Sequence, residues 1–275
     1  MEWMLLLFIG LAAGAIGSLI GLGGGVIVVP TLLFFGSSLM WIEGITPQTA
    51  VGISLVVMIF TGLSSTLAYL KTKTVDVKSG LLFFAGSGPG AVAGSWVNQY
   101  LTLGNFHLAF GLFMIFLSFI LLIRNRIKPI EKFKEASFQR HFTDNQGQRF
   151  QYGFPPAVGI AAAFGVGFAS GLFGIGGGSV MVPIMIIAFL FPPHVAVGTS
   201  MLMVFLSALL GSASHIAFGN VNWLYVAALA PGAWFGAKLG AWLNQKLDSN
   251  GLVLALRIIL VLIGIRSIFE GLYGV

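Results

Sequence analysis

The sequence predicts an all-α integral membrane protein made of two tandem homologous halves. Each half has about five hydrophobic segments, and the halves read as inverted repeats with helices broken at Gly-rich turns. Three observations lead there. Of 275 residues, 57% are hydrophobic and only 8% are charged, whereas a soluble domain is roughly 45–50% apolar and about 25% charged. So few charges cannot clothe a surface that faces water. The chain also repeats itself at a fixed spacing. Finally, each half carries a Gly-x-Gly-Gly-Gly cluster between its first two apolar segments, where a helix cannot run through unbroken.

The segments of the first half span roughly 3–20, 24–38, 47–70, 79–99 and 104–123. Those of the second span roughly 155–173, 177–191, 194–218, 223–245 and 251–272. Met1-Glu2-Trp3 has no basic n-region and no A-x-A site follows it, so the first segment reads as a mature membrane helix and not a signal peptide. A spanning helix needs about 20 apolar residues. The second segment of each half is short and directly follows the glycines, so segments one and two read as a broken pair, one re-entrant hairpin per half. The third segments share Ala50-Val51-Gly52-Ile53-Ser54 and Ala196-Val197-Gly198-Thr199-Ser200, an offset of 146 residues. The fourth share Gly86, Gly90 and Gly94 with Gly232, Gly236 and Gly240, then Asn98-Gln99 with Asn244-Gln245. Small residues at every fourth position read as helix-packing surfaces. Upstream, Gly21 to Gly25 match Gly174 to Gly178, and Pro30 matches Pro183, with the register shifted by seven. Seven extra residues near Ser37 to Ile45 account for the shift.

Seven of the fourteen Lys/Arg residues lie between Arg124 and Arg149. The organisation is therefore an N-terminal membrane repeat (1–123), a basic linker (124–153) read as a solvated cytoplasmic loop, and a C-terminal repeat (154–275). Basic residues mark cytoplasmic loops, so the net charge of +6 points to a multi-pass cell-membrane protein among lipid, not to nucleic acid. Lys71, Lys73 and Lys78 crowd one loop whose counterpart, Gly219 to Asn222, is uncharged. The loop after Tyr100 is uncharged, whereas its counterpart carries Lys246 and Asp248, so charge flips between matching loops, which favours inverted five-segment repeats over parallel repeats with eight spans.

Pseudo-symmetric halves with interrupted helices are the plan of secondary transporters, with substrate held beside the broken ends. No Walker A motif is present, and the glycine cluster lacks the βαβ setting of a dinucleotide site. The absence of cysteine excludes thiol nucleophiles and Cys-ligated metals. No cofactor, metal site or enzymatic constellation is expected. A passive anion channel is the alternative to a carrier.

The pattern Gly-Leu-Gly-Gly-Gly-Val-x-Val-Val-Pro, repeated as Gly-Ile-Gly-Gly-Gly-Ser-x-Met-Val-Pro, resembles the TauE/SafE sulfite exporter family. The Ala-x-Gly-x-Ser signature of the third segments resembles it too, and the likeness covers nearly the whole chain. It implies a membrane transporter and suggests sulfite, an organosulfonate or a related sulfur-containing anion as substrate.

The candidate substrate-binding residues follow from anion chemistry. A helix that begins at a glycine turn offers unpaired N–H groups and a positive dipole end, and two such ends bind an anion without a charged side chain. That selects Gly21, Gly23, Gly24 and Gly25 with Gly174, Gly176, Gly177 and Gly178. Ser54, Ser200 and Thr199 add hydroxyl donors. A proton or a cation is the expected coupling partner, and His215 has the titration range that suits a proton. Arg266 is expected to pair with Glu270, four residues on.

Overall fold

Glycine and proline punctuation divides the described residues into ten helices and a β-hairpin. The computed structural model describes residues 2–38, 45–123, 138–143, 149–246 and 250–273. Residues 39–44, where most of the seven-residue insertion falls, the linker stretches 124–137 and 144–148, and Asp248 lie outside them. The helices are α1 Glu2–Ile20, α2 Gly25–Ser38, α3 Pro47–Lys71, α4 Val77–Asn98, α5 Leu103–Ile123, α6 Pro156–Phe173, α7 Gly178–Ile187, α8 Pro193–Ala217, α9 Trp223–Asn244 and α10 Asn250–Tyr273. Five of them, α1, α3, α5, α6 and α8, are long and apolar enough to cross a membrane. Start signals are local: Pro47 and Pro193 open α3 and α8, while Asp76 and Asn222 cap α4 and α9 at matching positions.

Packing pairs the helices reciprocally. α1 lies on α9, and α6 lies on α4; α3 packs on α8, and α5 on α10. The fourth-position glycines make the first two pairs possible. A Cβ on Gly86, Gly90 or Gly94 would strike the backbone of Ile160, Phe164 or Phe168, and one on Gly232, Gly236 or Gly240 would strike that of Leu7, Leu11 or Ala15. The backbones therefore touch, as small-residue stripes permit. Gly52 on α3 meets Asn220 beyond the end of α8, while Gly198 near the start of α8 meets Thr74 beyond the end of α3, so α3 and α8 run antiparallel. Leucine, phenylalanine and tryptophan face outward from α5, α9 and α10, including Phe116, Phe119, Phe235, Trp242, Leu262 and Phe269.

The linker departs from expectation. The chain is not all-α, and this part of the linker is not a free loop. β1 Phe138–Thr143 and β2 Arg149–Phe154 form an antiparallel hairpin. Phe138, Arg140 and Phe142 pair across the ladder with Phe154, Tyr152 and Phe150, which puts these six side chains on one face. That face docks on the membrane helices. Phe154 stacks on Phe83 and Phe189 at 4.7 and 4.8 Å between centroids, and Tyr152 lies 4.2 Å from Phe191. Arg140 donates two bonds to Asp76, at 3.0 and 3.1 Å, and the Tyr152 hydroxyl donates a third at 3.0 Å.

Burial pushes the Asp76 carboxyl up, but bonds from Arg140 and Ser79 outweigh it and hold it below its ordinary value. A depressed folded value contributes stability that is present above the unfolded pKa and lost as pH falls through the folded one. We expect Asp76→Asn to cost about 1.5–3 kcal/mol, the worth of hydrogen bonds to a charged group, and to flatten this acid limb. Thermal unfolding in detergent across pH measures both.

Candidate functional site

At the α1–α2 break, Gly21, Gly23 and Gly24 take φ of 84°, 87° and 89°. At the α6–α7 break, Gly174 and Gly176 take 66° and 82°. Side-chain-bearing residues rarely adopt such angles, so these glycines let each chain reverse within a few residues. The two turns lie against each other. A Cβ on Gly25 would strike the Gly174 carbonyl and come within 2.8 Å of Ser54 Oγ. A Cβ on Gly178 would strike the Gly21 carbonyl and approach Ser200 Oγ. Met58 Sδ reaches both turns, beside Gly23 and Gly176. Among the first N–H groups of α2 and α7, Ile27 donates to the Gly24 carbonyl and Ser179 to that of Gly176, and the contacts of Gly25 with Gly174 and Gly178 with Gly21 bring the two helix starts to one place.

The carbonyl ends of α1 and α6 face the converse problem, because a helix C-terminus away from water needs donors for its last carbonyls. Six side chains supply them in matched sets. On α1, the Ser18 carbonyl accepts from Tyr69 Oη (2.9 Å), that of Leu19 from Asn244 Nδ2 (2.7 Å) and that of Gly21 from Ser200 Oγ (2.9 Å). On α6, the Leu172 carbonyl accepts from Asn98 Nδ2 (2.8 Å) and that of Gly174 from Ser54 Oγ (2.7 Å), while His215 Nε2 lies 3.4 Å from that of Gly171. Donors and acceptors correspond one to one between the repeats: Tyr69 with His215, Asn98 with Asn244, and Ser54 with Ser200. The serine and asparagine ties cross between halves, and the Tyr69 and His215 contacts stay within one.

The structure thus brings Gly21, Gly23, Gly25, Gly174, Gly176, Gly178, Ser54 and Ser200 together. Gly24 and Gly177 flank the contact, facing Ala13 and Val166 respectively. The serine protons are spent on carbonyls of the opposite turn, so in this conformation both serines clamp the turns. Thr199 lies away from them, its Oγ1 accepting from the Asp76 N–H at 3.0 Å. His215 is fully buried one turn upstream of the α6 break, and its Nδ1 meets no partner among the described residues. Sequence reasoning singled out Ser54, Ser200 and His215 but not Tyr69 as a carbonyl donor. The repeat register held that signal, since Tyr69 occupies the position of His215. Among the described residues no group of His, Cys, Asp and Glu is arranged to hold a metal ion.

The sulfite exporter TauE/SafE family model matches residues 6–267, nearly the whole chain. The chain belongs to that family. It is 52% identical over 274 residues to "Probable membrane transporter protein YunE" of Bacillus subtilis (strain 168), with 100% of each chain covered. It is 26% identical over 275 residues to "Probable membrane transporter protein MJ0441" of Methanocaldococcus jannaschii, covering 95% of this chain and 93% of that one. A shorter match, 28% over 112 residues, joins 41% of this chain to 26% of "Sulfite exporter TauE/SafE family protein 6" of Arabidopsis thaliana. No solved structure matches. Family and spanning helices together make this a multi-pass membrane transporter of the TauE/SafE type, a transporter family and not an enzyme family.

Proposed function

We propose that the chain is a secondary transporter of a small sulfur-containing anion, sulfite or an organosulfonate, working by alternating access at the paired glycine turns. The observation that carries this reading is the meeting of two helix starts, α2 and α7, across turns that touch backbone to backbone. Parting the turns would release the two serine hydroxyls from the opposite carbonyls and expose both helix starts to one anion. The buried surroundings hold no carboxylate to repel it: among the described residues, Asp76 is bound by the hairpin and Glu270 lies near the end of α10. A passive channel would keep a path open past the turns. The close approach of Gly178 to Gly21 and of Gly25 to Gly174 supports a carrier whose turns part to pass substrate.

The same reading takes the two halves as inverted repeats of five segments in the cell membrane. Antiparallel α3 and α8, which are repeat equivalents, support it, as do the reciprocal pairs α1–α9 and α6–α4. The basic linker and the loop of Lys71, Lys73 and Lys78 would then face the cytoplasm.

The test is a thermal-shift screen of purified protein against sulfite, sulfate, thiosulfate, taurine, sulfoacetate and simple carboxylates. A ligand that binds only the folded state stabilises it by mass action, about 2.7 kcal/mol at 100 times its Kd. We expect a selective rise with one sulfur anion. Equal curves with every anion would defeat the anion site.

A further inference from the structure

Beyond the glycine turns, one group of titratable side chains faces a cavity that the site above does not use. His107 on α5 places Nδ1 3.0 Å from Oε2 of Glu270 on α10, and Oε1 of Glu270 accepts from Arg266 Nε at 2.7 Å. The guanidinium of Arg266 lies 4.0 Å above the ring of Phe34 on α2. The cavity, about 360 Å³, runs between α1, α2, α5 and α10. α1 lines it with Ala12 and Ile16, and α2 with Ile27, Pro30, Thr31, Leu33 and Phe34. Among the lining residues, His107, Arg266 and Glu270 are therefore the only titratable or charged ones, and α1 and α2 present none.

The repeat gives this cluster no counterpart. The positions matching His107 and Arg266 are Val253 and Ile120, so helix pairing alone does not require it. The hairpin marks the end of the bundle where α3 stops and α4 starts. The cluster lies towards the opposite end, because Gln48 at the start of α3 bonds the carbonyls of Asn98 and Leu101 just ahead of α5. His107 is buried on α5, while Glu270 is half-buried and Arg266 exposed near the end of α10, so the cluster joins the cavity to the edge of the bundle. Ionisable residues so placed in a membrane protein are site candidates.

We propose that His107 and Glu270 form a proton-binding site whose occupancy shifts α2 and, through it, the Gly21–Gly25 turn. Coupling of that proton to anion movement rests on the transporter reading above. With His107 neutral, Glu270 and Arg266 cancel. A proton arriving from the adjoining aqueous phase bonds to the His107 imidazole, and the cluster becomes singly positive. The same bond breaks on release. A protonated His107 competes with Arg266 for the Glu270 carboxylate, and Arg266 is the group stacked on α2. The ligand is a proton and not a metal cation, because Arg266 already occupies one carboxylate oxygen and would repel a second fixed positive charge.

The test needs no transport. The chain contains no cysteine, so Thr31→Cys introduces a single thiol on the cavity wall of α2. Its maleimide labelling rate in the full chain in lipid nanodiscs is measured between about pH 5 and about pH 8, the range of a histidine switch. Rates are corrected for thiolate fraction with free cysteine. We expect a severalfold change across this range in the T31C parent, abolished when Glu270→Gln or His107→Gln is added. A flat profile in the parent, or an unaltered profile in both added variants, overturns the proposal. A null thermal-shift screen would instead remove the anion reading while leaving this result standing.

Discussion

Gly178→Val and Gly25→Val are each expected to bring sulfite flux down to that of empty vesicles while the protein still reaches the membrane. Neither residue has positive φ, so valine is not excluded by backbone conformation. The obstacle is the opposite turn. A Cβ at Gly178 would strike the Gly21 carbonyl, and one at Gly25 the Gly174 carbonyl, and those atoms are backbone that cannot rotate away. Overpacking typically costs about 1–3 kcal/mol, and here it falls on the contact whose opening and closing we propose as the transport step. Gly177→Ala should be milder, because its Cβ would meet the side chains of Val166 and Met203, which can yield. Gly165→Ala is the control, with nothing within 4 Å of its Cβ. Flux of labelled sulfite into proteoliposomes, normalised to folded protein, gives the ranking.

The second large effect is on stability. Asn98→Leu and Asn244→Leu each strip a donor from the carbonyl end of a broken helix, leaving Leu172 or Leu19 with an unpaired carbonyl. A buried unsatisfied group costs about 1–3 kcal/mol. Each kcal/mol shifts Tm by about 2–4 °C in a chain somewhat smaller than this one. Asn244→Leu should lose at least as much as Asn98→Leu, because Asn244 Oδ1 also meets His194 Nδ1 at 3.2 Å whereas Asn98 Oδ1 has no partner among the described residues. Replacement by Gln, which keeps the amide, should recover part of the loss. A drop no larger than that of an outward-facing Leu239→Ala would contradict the capping account.

The helices were legible because glycine, proline and hydropathy punctuate them. Pro47 and Pro193 open α3 and α8, and the glycine clusters end α1 and α6 within a residue of the expected break. The pairing of Ser54 with Ser200 was legible from the repeat, but the direction of their bonds was not. A serine in a membrane helix can equally bond its own helix carbonyl, and only the packing of one half on the other sets the choice. The hairpin was written in the sequence as alternating Phe138, Arg140 and Phe142, then Phe150, Tyr152 and Phe154, yet the surrounding charges made the stretch read as solvated. Asp76 explains the difference, since its carboxylate gives Arg140 and Tyr152 a buried partner that no linear pattern reveals. His107 and Glu270 are far apart in the chain, and only the pairing of α5 with α10 brings them together.

Counterflow across proteoliposomes tests the central claim most directly. Vesicles loaded with unlabelled sulfite are diluted into labelled sulfite, with and without Gly178→Val. The paired-turn carrier predicts saturable uptake that is accelerated by sulfite on the far side and lost in the variant. Uptake that rises linearly with concentration, ignores sulfite on the far side and persists in Gly178→Val would contradict it.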